Sequence, residues 1–183
     1  MLRGERVVLR PIEKEDLKKL HELQSNVELV MLGNASWEPW SLASSEKEFE
    51  KHLESQEKGD FVIEVDGNII GEIGLHEWRN RRAGAAAFGV GIYDPNYLSK
   101  GYGREAIGLF LDWAFRIMNY RKIHLETLAA NERAVRCYKA CGFVEEGLLR
   151  QHDYYNGDYA DVLVMGILRD EWEAHQKEAR KEA

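Results

Sequence analysis

Apolar residues recur along this chain with two different periods, and the change from one to the other marks out its elements. Short apolar runs predict strands over residues 6–10, closed by Pro11, and over 61–65 and 69–77, the last two joined by the tight turn Asp66-Gly67-Asn68. Leu17, Leu20 and Leu23 fall at helical spacing within 16–24. Ser44 or Ser45 can cap a second helix running to about Lys58, with Phe49 and Leu53 on its inner face. Residues 27–40 show no period and read as irregular, with Trp37 and Trp40 flanking Pro39. Residues 79–82 read as a basic turn.

The second half begins with a strand over 83–93 that contains Gly84, Gly89 and Gly91. Glycine inside a strand marks a bulge or a close approach of another backbone. Ile107, Phe110, Leu111, Ala114 and Met118 then give a helix, and 122–128 a further strand. Residues 131–141 form another helix, ended by Gly142 at a position suited to a left-handed cap. Asn156-Gly157 is a strong two-residue hairpin signal. It would pair Tyr155 with Asp158, Tyr154 with Tyr159, Asp153 with Ala160 and His152 with Asp161. Residues 162–167 complete the sheet, and 169–183 form a charged helix that frays at its end.

The junction Leu98-Ser99-Lys100-Gly101-Tyr102-Gly103-Arg104-Glu105-Ala106 joins a strand to a helix through two glycines. Such a junction turns tightly and lets a ligand approach without meeting a Cβ. The helix start adds unpaired N–H donors and the positive end of a dipole. With Lys100 and Arg104 alongside, this reads as a phosphate cradle, although Gly-x-Gly alone also suits a plain glycine-rich turn. It is no Walker loop, which needs four residues between its glycines and then Lys-Ser/Thr.

Composition narrows the setting. A chain of 183 residues with 31% charged residues reads as one soluble domain, residues 1–183, with room for a core. A net charge of −7 argues against nonspecific binding to nucleic acid or to an acidic membrane, and suits a cationic acceptor. No apolar run approaches transmembrane length, residues 1–10 lack a signal-peptide core, and a cytoplasmic location is expected. Cys137 and Cys141 read as reduced core thiols, and no metal site is expected.

About thirty residues after the cradle comes Asn131-Glu132-Arg133-Ala134-Val135-Arg136-Cys137-Tyr138-Lys139-Ala140-Cys141-Gly142-Phe143. The two stretches together resemble the acyl-CoA motifs of the GNAT N-acetyltransferases, [RK]-G-x-G-x-x-A and N-x-x-A-x-x-x-Y-x-x-x-G-F. The resemblance reaches from Arg6 to about Trp172. Leu9-Arg10-Pro11 and Tyr155-Asn156-Gly157-Asp158-Tyr159-Ala160-Asp161-Val162 resemble the Rim-type ribosomal-protein alanine N-acetyltransferases most. Spermidine and aminoglycoside acetyltransferases share much of the pattern.

The resemblance implies an α/β GNAT fold: a mixed sheet of about seven strands, one splayed and bulged, with flanking helices. It implies acetyl-CoA as cosubstrate, no metal, and direct attack by an amine, either a protein N-terminus or a small polycation such as a polyamine or aminoglycoside. Backbone N–H groups around Ile92 and Tyr93 would lie near the thioester carbonyl. The amides of Ser99, Lys100, Gly101, Tyr102, Gly103 and Arg104 would hold the pyrophosphate, Asn131 the pantetheine arm, and Arg136 would add charge for the phosphates. Tyr138 is the candidate general acid, a phenol with a pKa of about 10; it also fits as a packed aromatic. Phe143 and Gly142 read as structural. Ala87-Phe88 stands where many relatives carry a glutamate before the aromatic, so the base is sought elsewhere. Glu72 shares a strand face with His76 and is the candidate. Glu77, Asp153 and Asp158 are further acids for the acceptor cleft, and Trp37 and Trp40 suit an acceptor-side lid. Without a strand glutamate, a non-catalytic acyl-CoA sensor is the rival reading. Homodimers are frequent in the family.

Overall fold

The computed structural model describes residues 1–34, 38–54, 59–77 and 83–182. Its strands are β1 (Leu2–Arg3), β2 (Val7–Pro11), β3 (Phe61–Val65), β4 (Asn68–Glu77), β5 (Ala85–Ile92), β6 (Lys122–Leu128), β7 (Val144–Tyr155) and β8 (Asp158–Leu168). Its α-helices are α1 (Leu17–Gln24), α2 (Val27–Asn34), α3 (Leu42–Glu54), α4 (Tyr102–Asp112), α5 (Glu132–Ala140) and α6 (Arg169–Glu182). The strands form one mixed sheet of eight, in the order β1-β2-β3-β4-β5-β6-β8-β7.

All neighbours run antiparallel except β5 and β6. That pair is parallel, needs a crossover, and receives one in α4. Its ladder lasts only three residue pairs, from Ala85 with Lys122 to Ala87 with His124. Beyond Ala87, β5 stays on β4 as far as Ile92, and β6 stays on β8 as far as Leu128. The two strands therefore part, opening a slot within the sheet.

On the far side of the slot, β4 and β5 are pressed together. A Cβ on Gly71 would lie 1.8 Å from the Gly91 carbonyl oxygen and 3.0 Å from Ile92 Cα. Beneath them, Phe88 of β5 stacks between Phe110 of α4 at 5.5 Å and Phe143 at 5.4 Å. Gly142, at φ +94°, turns the chain out of α5 and delivers Phe143 to that stack. Both are structural, as expected. At the other end of the molecule, Trp172 of α6 packs on Phe115, with the Arg116 guanidinium over its ring.

Several local expectations need correction. Residues 27–34 are helical, not irregular: Val27–Asn34 is apolar on nearly every side, so it has no period to read. Asn26 starts it by accepting from the Leu29 N–H. Ser41, not Ser44 or Ser45, caps α3 through its hydroxyl on the Ser44 N–H. Phe49 is half-buried there, but Leu53 is exposed. After Asp112 the helix widens into a π-turn, Trp113–Ile117. The extra residue rotates Met118 outward and lets Tyr120 enter the core in its place. The hairpin pairs Tyr155 with Asp158, Tyr154 with Tyr159 and Asp153 with Ala160, as the turn predicts. His152 does not face Asp161: Gln151 adopts φ +51° and donates its N–H to the Asp161 carboxylate, so β7 bulges there. Trp37, the turn at 79–82 and the side chains of His76 and Glu77 lie outside the described residues.

Gly71→Ala is expected to cost about 2–4 kcal/mol, because the obstacle is backbone and cannot rotate away. Urea unfolding with an unchanged m-value would record it.

Candidate active site

The cradle is built from the β1–β2 corner as much as from its own loop. Ser99 at φ +58° and Gly101 at φ +87° turn successive peptides so that α4 opens with its first N–H groups unpaired. Gly101 has the Arg6 guanidinium 3.2 Å from where a Cβ would stand. Arg6 donates to the Lys100 carbonyl at 3.0 Å and lies over the Tyr102 ring at 4.9 Å. Glu105, one turn into α4, accepts from the Arg6 and Val7 N–H groups at 2.8 and 3.0 Å and from Arg6 Nε at 3.1 Å. Burial alone would push the Glu105 carboxyl up, but these donors outweigh it and hold its pKa below the usual range. Its contribution is therefore fully present at neutral pH and is lost as pH falls through the depressed value. Reading the sequence missed Glu105 and Arg6; the acidic residue in the motif's own helical turn was the available signal.

The slot separates two residues that were expected to act alike. The Tyr93 N–H donates to the Ile70 carbonyl at 3.0 Å and is used up by β4. Strand alternation then turns the N–H groups of Ile92 and Val90 the other way, toward the β6 side, where β5 has no strand partner among the described residues. Ile92, not Tyr93, presents a backbone donor to the slot.

Tyr138 is buried, edge-on to Phe88 at 6.2 Å and to Phe143 at 5.9 Å. Its hydroxyl makes no hydrogen bond among the described residues. Burial, then the neighbouring Cys137 and Cys141, push the phenol's pKa well above the usual value, so it stays protonated. Glu72 is half-buried on β4, with Gln24 Nε2 at 2.8 Å and Tyr93 Oη at 3.1 Å. Burial raises its carboxyl, Asp60 raises it further, and the two donors oppose them. The Tyr93 phenol, pushed up first by burial and then by Glu72, also feels Tyr138. Tyr93 thus links the two candidates: it bonds Glu72 and lies close enough to Tyr138 to feel it.

Other candidates are engaged elsewhere. The Asn131 side chain caps α5 by accepting from the Ala134 N–H and donates to the Leu32 carbonyl at 3.1 Å, fastening α2 to α5. Arg136 is exposed and paired with Glu132, and Lys139 with Glu145, as surface charges. Lys100 and Arg104 are exposed at the cradle. Asp153 and Asp158 each accept from the following residue's N–H in the hairpin. Trp40 is exposed. Cys137 and Cys141 are free thiols in contact with each other. Among the described residues no cluster could hold a metal ion, and no helix is long and apolar enough to cross a membrane.

The acetyltransferase (GNAT) domain family matches residues 6–144, about three quarters of the chain. The chain is a GNAT acetyltransferase. Spermidine N(1)-acetyltransferase of Vibrio cholerae is 35% identical over 170 residues, covering 91% of this chain and 95% of that protein. The Escherichia coli K12 spermidine N(1)-acetyltransferase is 32% identical over 174 residues, covering 93% and 90%. Among solved structures, the V. cholerae spermidine N-acetyltransferase with CoA and spermine superposes with a TM-score of 0.83 at 33% identity, over 93% of this chain and 99% of that one. The acetyltransferase is thus an acyltransferase that uses acetyl-CoA, and the sensor reading falls away. The Rim-type placement is corrected: these relatives are spermidine N-acetyltransferases, not ribosomal-protein enzymes. The unpaired amides at α4 and the free face of β5 suit a pyrophosphate and an extended pantetheine arm.

Glu105→Ala is expected to lower stability by about 2–3 kcal/mol, since it strands two backbone donors of the β1–β2 corner. The same change should weaken CoA binding about tenfold through loss of the preformed cradle. Calorimetric titration and thermal melts would read the two effects separately.

Proposed function

We propose that the acetyltransferase transfers the acetyl group of acetyl-CoA to a primary amine of a polyamine such as spermidine. The observation that carries this reading is 35% identity to a spermidine N(1)-acetyltransferase along nearly the full length of both chains. The half-buried carboxylate of Glu72, with Asp60 nearby, and the net charge of −7 suit an acceptor that carries several positive charges. A protein N-terminus, the first expectation, has no such support.

Acetyl-CoA supplies an activated thioester; the chain's residues manage protons and position. Glu72 takes the proton from the attacking ammonium, directly or through one water. The Ile92 N–H steadies the carbonyl oxygen as negative charge grows on it. Tyr138 delivers its proton to the departing sulfur, a role suited to a phenol held neutral by burial. The amides of Ser99 to Arg104 hold the phosphates, and Asn131 sets the start of α5 so that Tyr138 faces inward. A solved V. cholerae relative is dodecameric, and an assembly of several copies is proposed here too. The outermost strand β7, with Val144, Leu148 and Tyr154 exposed, gives such contacts an edge to use.

Thiol release from acetyl-CoA is expected with spermidine and spermine, and little or none with Ala- or Ser-terminated peptides. Peptide preference would overturn the acceptor assignment. Tyr138→Phe should lower kcat by about 10²–10⁴-fold while leaving CoA affinity unchanged. Wild-type turnover in that variant would remove Tyr138 as the acid.

A further inference from the structure

Glu72 is not simply a carboxylate in a cleft. Gln24 ends α1, and Tyr93 follows β5, yet both reach the same oxygen, Oε1, at 2.8 and 3.1 Å. Among the described residues the second oxygen, Oε2, accepts no hydrogen bond. Glu72 pairs with Gly91 across the β4–β5 ladder, and a Cβ on Gly91 would fall 2.3 Å from the Tyr93 ring and 2.4 Å from its hydroxyl oxygen. The ring therefore folds back over a strand position that has no side chain and places its O–H on the carboxylate opposite. Gly91, Tyr93 and Glu72 form one geometric unit, and Gln24 closes it from the helix layer.

We propose that Gln24 and Tyr93 are positioning residues that lock Glu72 through Oε1 and leave Oε2 as the atom that receives the proton of the acceptor amine. This rests on Glu72 being the base. Two donors on one oxygen fix the carboxylate plane and restrict rotation, so Oε2 keeps one direction. They also favour the ionised form against burial and against Asp60, which both oppose it. The groups facing Glu72 are Asp60 ahead of β3, Tyr93 beyond β5 and neutral Gln24 on α1; Tyr138 acts on Tyr93. Removing either donor should leave a carboxyl that is harder to ionise and free to turn. Because α2 follows α1 directly and is fastened to α5 through Leu32 and Asn131, the helix layer that holds the base also holds the helix of the candidate acid.

The test compares Gln24→Met, Tyr93→Phe and Glu72→Gln with the wild type, using spermidine and acetyl-CoA across pH. Gln24→Met keeps side-chain length without the donor, and Tyr93→Phe removes one oxygen only. Each should lower kcat/KM for spermidine about tenfold at neutral pH. Each should also move the acid limb of the profile to higher pH, recover toward wild type in alkali, and leave the KM for acetyl-CoA unchanged. A merely structural role would leave the limb where it is. If Glu72→Gln is inactive but neither donor variant moves the limb, the lock is wrong and the base stands. If Glu72→Gln keeps wild-type turnover and the same limb, Glu72 is not the base and the proposal falls with it.

Discussion

The parallel ladder between β5 and β6 ends after three residue pairs, and the rest of the site depends on that ending. An edge inside a sheet is costly unless something pairs with it, because its N–H and C=O groups are obligatory hydrogen-bonding groups. The molecule makes this opening by holding each strand firmly on its outer side. Gly71 lets β4 and β5 close to a distance no side chain would allow, and β6 stays on β8 for seven pairs. The stack of Phe110, Phe88 and Phe143 supports the fork from beneath. What remains is a row of outward N–H groups on β5, ending at Ile92, whose side chain lies beside Gly103 in the first turn of α4.

The charged side chains of the N-terminal strands serve the same frame. Arg6 and Glu105 bind the β1–β2 corner to the cradle. Arg10 grips Asp16 with both nitrogens and also holds Glu64, so β2, β3 and the entry to α1 move as one body. Burial would raise the Asp16 carboxyl, but the Arg10 contacts prevail and hold it below its ordinary value. Both carboxylates stabilise the fold above their unfolded-state pKa and cease to do so in acid. Glu72 is shifted the other way, upward by burial, against its two hydrogen-bond donors.

How much of this could be read from the chain differed by the range of the interaction. Strands and helices with a clear period were legible, as were the two glycine motifs, the Asn156-Gly157 turn and the cap at Gly142, because each is encoded within a few residues. The two-sided apolar run of α2 hid its helix, and one inserted residue in the π-turn displaced Met118 against its spacing. The bulge at Gln151 likewise broke a register that held perfectly nearer the turn. Glu72 and Tyr138 were legible as candidates. Their supports were not: Gln24 is 48 residues from Glu72, and Arg6 is 99 residues from Glu105. Nor could motif resemblance divide polyamine from protein acceptors, since both kinds of enzyme share the cofactor elements. Leu9-Arg10-Pro11, which pointed toward the latter, owes its arginine to scaffolding.

Backbone amide exchange, followed by NMR with and without CoA, tests the open fork most directly. In the free protein the Tyr93 amide should be protected by Ile70, while those of Ile92 and Val90 exchange quickly. CoA should slow Ile92 and Val90 and leave Tyr93 as it was. Slow exchange at Ile92 in the free protein, or no change there on saturation with CoA, would contradict a slot kept open by the early end of the β5–β6 ladder.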